Sequence, residues 1–254
     1  PPPPPPPVAA PLEVGQVLGP PRLALRQELG GGLEVQARFV RAVVPGRPSV
    51  AVVRLSLKNC RTDAPLRNVR AHIRPGSSMT PFPDVAEIGK GETVDVVVHA
   101  DFGHAAASRT VRAEVATDRG RYPLALECPA EEAVRPAPLD FPSFEAGLRS
   151  LSGLNQSQSS FEVSYGNNEY PLVPQRAMEC MHLAQVMPPG PGYTETGLLC
   201  YSGIIPAANG GGERVYVKIQ LNMASGQGTI QMHCDSVVHC SSLLGVMKRA
   251  IAPS

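Results

Sequence analysis

The sequence predicts an immunoglobulin-like β-sandwich followed by a smaller α+β platform domain with a mostly antiparallel sheet. Three observations predict it. Apolar and polar residues alternate through most of the first half, a cluster of prolines interrupts the pattern over 129–142, and helical and strand patterns interleave beyond it. Alternation at period two sets one strand face on a core and the other in water, as in antiparallel sheets. Interleaved helices and strands read as a sheet layer covered by helices.

Residues 1–32 read as the end of a proline-rich hinge. Pro1–Pro7 form an unbroken run, and such a run fixes φ and favours an extended polyproline II tether. Docking to an SH3 or WW domain is the alternative use of that run. The predicted sandwich spans 33–130. Its clearest strands are 50–58, where Val53, Leu55 and Leu57 alternate with Arg54, Ser56 and Lys58, and 92–100, built on Val94, Val96 and Val98. A third, 109–117, is carried by Val111, Ala113 and Val115, and 33–43, 66–74 and 121–128 complete the set. Pro45-Gly46, Pro75-Gly76, Gly89-Lys90-Gly91 and Asp118-Arg119-Gly120 supply the turns between them. Pro129, Pro136, Pro138 and Pro142 then mark a linker at 131–142.

The platform is expected over 143–254. Ser143 can cap a helix over 144–152, a short strand follows at 161–165, and a helix over 175–187 runs up to Pro188-Pro189. Strands are expected at 197–205, 213–223 and 228–234. In the second, Val215, Val217, Ile219 and Leu221 alternate with Tyr216, Lys218 and Gln220. The last helix is the clearest: Val237, Cys240, Leu244, Met247 and Ile251 recur at spacings of three and four and so form one stripe. Asp235 or Ser236 can cap it, and Lys248 and Arg249 suit the negative end of its dipole.

Charge excludes some function classes. Lys and Arg outnumber Asp and Glu by 16 to 12 over the first 130 residues and are outnumbered 7 to 10 thereafter. That balance lacks the clustered basic excess of a nucleic-acid domain. No run of 18 apolar residues is present to span a membrane, and no signal-peptide pattern is visible. The six cysteines are sparse for a disulfide scaffold. A Cys60–Cys128 bridge is conceivable, but free thiols of a reducing compartment fit better, because the chain has no Trp to accompany an antibody-type bridge.

Chemistry-bearing motifs are few. His233-Cys234 and His239-Cys240 offer zinc-ligating residue types, without the Cys-x2-Cys spacing that structural zinc sites use. No Gly-x-Ser-x-Gly elbow, phosphate loop or dinucleotide fingerprint occurs. The expectation is a non-enzyme with no cofactor, metal or catalytic residues. Asn155-Gln156-Ser157 matches a glycosylation sequon, which matters only in a lumenal protein. Met178 and Met181 read as core fillers of their helix. The peptide-contact candidates are Tyr216 and Lys218, an amphipathic ring beside a cation on the outward side of a strand, against the plainer reading of a solvated face.

Four segments carry a resemblance to a known family. SVAVVRLSLKNCRTDAPLRNVRAHI (49–73) and GKGETVDVVVHADF (89–102) resemble sandwich strands of the appendage, or ear, of the beta chain of the third heterotetrameric vesicle-coat adaptor complex. PLDFPSFEAGLRSLSGLNQSQSSFEV (138–163) resembles its linker and first platform helix, and SVVHCSSLLGVMKRAI (236–251) resembles its last helix. The similarity runs in order over about 33–251. It implies a non-catalytic appendage that recruits accessory trafficking proteins through short peptides during sorting from Golgi and endosomes to lysosomes and related organelles. It further implies a cytoplasmic protein, peripheral on Golgi, endosomal and coated-vesicle membranes, whose large chain joins other adaptor subunits and contacts membrane only indirectly. Clathrin binding is not implied, because no Leu-Leu-x-Leu-Asp/Glu box is present. Related appendages use a platform Trp in their peptide pocket, so their binding residues cannot be carried onto this chain. The rival from another class is an extracellular immunoglobulin-like adhesion or receptor fragment held by disulfides.

Overall fold

A computed structural model describes the chain except residues 1–17, 42–43, 45–46, 48, 74–77, 103–109, 152, 164–169, 207–210 and 253–254. The Pro1–Pro7 run and the Pro45-Gly46 and Pro75-Gly76 turns lie outside the described residues. Antiparallel β-sheet is the predominant secondary structure of the rest, and the chain divides into two compact units, Pro1–Cys128 and Pro129–Ser254. Among the described residues no helix is long and apolar enough to cross a membrane.

The first unit holds β1 (Arg22–Leu25), β2 (Leu33–Val40), β3 (Val50–Asn59), β4 (Leu66–His72), β5 (Val85–Ile88), β6 (Thr93–Asp101), β7 (Thr110–Thr117) and β8 (Gly120–Glu127). They form two four-stranded sheets, β1-β2-β3-β6 and β5-β4-β7-β8, every pair antiparallel. The alternation seen in sequence becomes burial: Val53, Leu55 and Leu57 are fully buried while Arg54, Ser56 and Lys58 are not. Strands β1 and β5 were not expected, because four residues give too little period to recognise. Within β4, Asn68 has a φ of 53°, in the left-handed region that Asn tolerates best after Gly. Leu66, Arg67 and Val69 pair β5, and Arg70, Ala71 and His72 pair β7. At the end of β3, Asn59 is fully buried. Its Nδ2 donates to the carbonyls of Ala64 and Ile88, both at 3.1 Å, and its Oδ1 accepts from the Arg61 N–H at 3.0 Å.

The second unit runs α1 (Ala130–Ala133), β9 (Arg135–Pro136), α2 (Phe141–Ser150), β10 (Gln156–Glu162), α3 (Leu172–Cys180), β11 (Ala184–Val186), α4 (Tyr193–Thr196), β12 (Leu198–Pro206), β13 (Gly212–Leu221), β14 (Gln227–Cys234) and α5 (Val237–Ile251). The strands make one antiparallel sheet, β10-β14-β13-β12-β11, with β9 also paired to β12. Three expectations need correction here. The segment 131–142 is not an irregular linker, since it contains most of α1 and all of β9 and starts α2. Pro142 falls in the first turn of α2, where a missing N–H costs nothing. The cap is Asp140 rather than Ser143: Asp140 Oδ1 accepts from the Ser143 N–H at 2.8 Å. Finally, α3 stops at Cys180 because Met181 is extended and residues 184–186 pair with β12, so sheet hydrogen bonding overrides a pattern that reads as helix to 187. α5 matches its stripe apart from Val237: Cys240, Leu244, Met247 and Ile251 are buried, Leu243 joins them, and Val237 is half exposed. Its cap is Ser236, which accepts from the His239 N–H at 3.3 Å.

Candidate peptide-binding surface

The two faces of the six-stranded sheet differ in what covers them. One face carries Val215, Val217, Ile219 and Leu221 of β13 with Ile230 and Met232 of β14, all fully or almost fully buried. α5 packs on this side: the Cys240 thiol donates to the Met232 carbonyl at 3.1 Å, and Ser241 Oγ lies 3.5 Å from Ser157 Oγ on β10.

The opposite face holds the sequence-predicted pair. Tyr216 is not outward in the sense of being open to a ligand: it is only 5% exposed, because α2 lies over it. Phe144 of α2 meets the Tyr216 ring edge-on, with centroids 5.8 Å apart and planes at 75°. Leu148, Leu151, Val186 and Cys200 complete that cluster. Gly147 permits the close approach, since a Cβ there would run into the Tyr216 ring. Alternation identifies which strand residues share a face, and the sequence alone does not reveal that a helix ten residues long sits on that face. Lys218, two positions along, reaches the rim of α2, where its Nζ lies 3.6 Å from Glu145 Oε1. The pair is therefore split: Tyr216 anchors α2, and Lys218 stays partly accessible beside it.

Beyond α2 the same face is open and polar. Gln158 and Ser160 of β10 register with Gln231 and Thr229 of β14, which in turn register with Lys218 and Gln220 of β13. Gln231 Nε2 donates to Gln158 Oε1 at 3.4 Å. A shallow groove of about 820 Å³ lies at this end, reaching Ser160, Glu162 and Gln220 as well as Lys248 on α5. Glu162 and Lys248 are its two titratable lining residues, so the surface offers amide, hydroxyl, carboxylate and ammonium groups suited to hydrogen bonding. Sequence reasoning missed these residues because QSQSSFE has almost no apolar alternation.

The thiols and histidines of the tail are dispersed. All six cysteines are free, Cys60 and Cys128 among them. Burial pushes the Cys200 thiol up to about 11 and the Cys234 thiol up to about 12, which keeps both protonated and poorly nucleophilic. His239 Nδ1 lies 2.5 Å from Glu213 Oε2. His233 is buried, with Nδ1 lacking a partner among the described residues. Burial lowers its pKa, and hydrogen bonds to the backbone of Leu151 and Leu148 oppose that shift. Among the described residues no three metal-ligating side chains converge.

No protein-family model matches the chain, and no curated protein sequence matches it.

Proposed function

We propose that the chain is a non-catalytic protein-interaction module, an immunoglobulin-like sandwich with an α+β platform, serving as the appendage of a vesicle-coat adaptor beta subunit. The observation that carries the reading is the order of elements in 129–254. A capped helix, a polar strand and a second helix precede three long antiparallel strands and a closing amphipathic helix, in the sequence of elements that the resemblance implies. The two four-stranded sheets of 1–128 support the sandwich half. Six free thiols favour a reducing compartment over the secreted adhesion alternative.

In this reading the module recruits accessory trafficking proteins through short peptides, on Golgi, endosomal and coated-vesicle membranes, while the rest of the large chain joins the other adaptor subunits. Short disordered peptides lose conformational freedom on docking, so dissociation constants of roughly 1–100 μM are expected. Many copies in one coat make such contacts sufficient through avidity. The test is recovery of partners on a tagged version of this chain in cells, together with assembly of the full-length product into a coat complex. Recovery of coat and accessory proteins supports the proposal; no trafficking proteins and no coat assembly would sink it.

A further inference from the structure

The sheet edges of the two units are protected in different ways, with one exception. β1 and β5 are four residues long and β1 has a register shift, β8 contains Pro123 and Arg121, and β11 has only three residues. β6 is covered along its outer side, where Thr80 N–H donates to the His99 carbonyl at 2.8 Å and Asp101 N–H to the Ser78 carbonyl at 2.6 Å. Short strands, prolines, basic side chains, bulges and covering segments are the usual means of blunting an edge. β10 has none of these among the described residues. It is seven residues long, in register with β14 throughout, and carries neither Pro nor Lys.

Its hydrogen-bond phase is fixed at both ends. The Val163 N–H donates to the Gly226 carbonyl at 2.9 Å, and the Cys234 N–H donates to the Asn155 carbonyl at 3.0 Å. Residues 155, 157, 159, 161 and 163 therefore face β14, and the backbone groups of Gln158, Ser160 and Glu162 point away from the sheet. The Gln156 N–H is taken by the Gly153 carbonyl, and the Ser160 carbonyl accepts from Ser159 Oγ. The N–H groups of Gln158, Ser160 and Glu162 have no partner among the described residues. The groove touches both sides of this strand, Ser160 and Glu162 on one and Phe161 with Lys248 on the other, so it wraps the outer edge. Lys248 is exposed and has no ion-pair partner among the described residues.

The geometry points to the outer edge of β10 as a strand-addition site for an extended, acidic segment of a partner protein. Only an extended backbone presents donors and acceptors at the spacing of this ladder. Its side chains alternate between the two sides of the sheet, so carboxylates at every second position face Lys248 while the intervening neutral residues pass Glu162 on the opposite side. The inference deepens the proposed function and rests on the chain being an interaction module.

The probe is an acetylated, amidated octapeptide of alternating threonine and aspartate, titrated into the isotopically labelled chain of 254 residues and followed by amide NMR. Shifts at Gln158, Ser160 and Glu162 are expected. They should vanish with the same peptide N-methylated at alternate residues, a control that needs no protein variant. Ser160→Pro removes an outward N–H without touching the β14 ladder and should weaken binding about tenfold. Lys248→Glu should weaken it about threefold. The inference is overturned by no shift at millimolar peptide or by equal binding of the methylated peptide. Self-association of the chain that Ser160→Pro abolishes also overturns it, because the edge would then serve a second copy. Failure here with recovery of coat proteins in cells removes the site and leaves the function standing. Peptide binding without such recovery does the reverse.

Discussion

The closure of α2 over Tyr216 can be tested by adding one methyl group. Gly147→Ala in a free-standing helix is stabilising by about 1 kcal/mol, because Ala replaces the residue with the largest backbone entropy cost. In this chain the new Cβ would meet Cζ, Cε1 and the hydroxyl of Tyr216. Tyr216 is itself pinned by Phe144 at 5.8 Å, so the ring has little room to yield. Overpacking of this kind costs about 1–3 kcal/mol. The sum is a net loss of about 1 kcal/mol, against a gain of similar size where the ring is absent. The assay is urea denaturation followed by far-UV circular dichroism on the wild type, Gly147→Ala, Tyr216→Leu and the double variant. Gly147→Ala should destabilise the wild type and stabilise the Tyr216→Leu background, giving a coupling of about 1–3 kcal/mol between the sites. An equal gain in both backgrounds would refute the contact and return Tyr216 to the pool of accessible residues.

Three further outcomes are expected. In denaturant without reductant, Ellman's reagent should titrate all six thiols, while in the native protein at pH 8 Cys200 and Cys234 should react slowest, since burial holds them near 11 and 12; a bridged Cys60–Cys128 pair would contradict this. Burial keeps His233 neutral in the fold to a lower pH than in the unfolded chain, where its pKa is about 6.5. The unfolded state then binds more protons in that window, so stability should fall as pH drops below about 6.5, and His233→Gln should flatten the slope in melts across pH 5–8. Asn59→Ala leaves the carbonyls of Ala64 and Ile88 without their donor in a buried position, and the unfolding free energy should drop by about 2–3 kcal/mol in urea titrations.

Long elements were legible because each carries several periods of its own pattern. β3, β6 and β13 alternate over nine or ten residues, and α5 repeats its stripe over four turns. The short strands β1, β5, β9 and β11 exist only because a neighbour pairs with them, and two to four residues cannot announce a partner. β10 was legible only at its C-terminal end, where Phe161 supplies an apolar residue; the polar stretch before it is a strand because β14 and α5 hold it. The candidate site divides the same way. Shared placement of Tyr216 and Lys218 on one face followed from alternation. Which of them a helix covers depends on packing between elements far apart in sequence, and Glu145, the partner of Lys218, lies 73 positions away.

The polar groups of the chain separate structure from recognition. Asn59, His239 and Ser202 are buried, and each bonds inside its own unit: Asn59 to two carbonyls, His239 to Glu213, and Ser202 Oγ to the Ala137 carbonyl at 2.7 Å. Removing one member of such a pair exposes a desolvated partner and destabilises the fold, so these residues are committed to holding it together. The outward N–H groups of β10 are in the opposite condition. They have no partner among the described residues, their loss should leave the β14 ladder intact, and what they gain from an added strand is affinity rather than stability. A residue whose removal harms binding and leaves unfolding unchanged is therefore to be sought along Gln158, Ser160 and Glu162, and Tyr216, by the same reasoning, belongs with the residues that hold the fold.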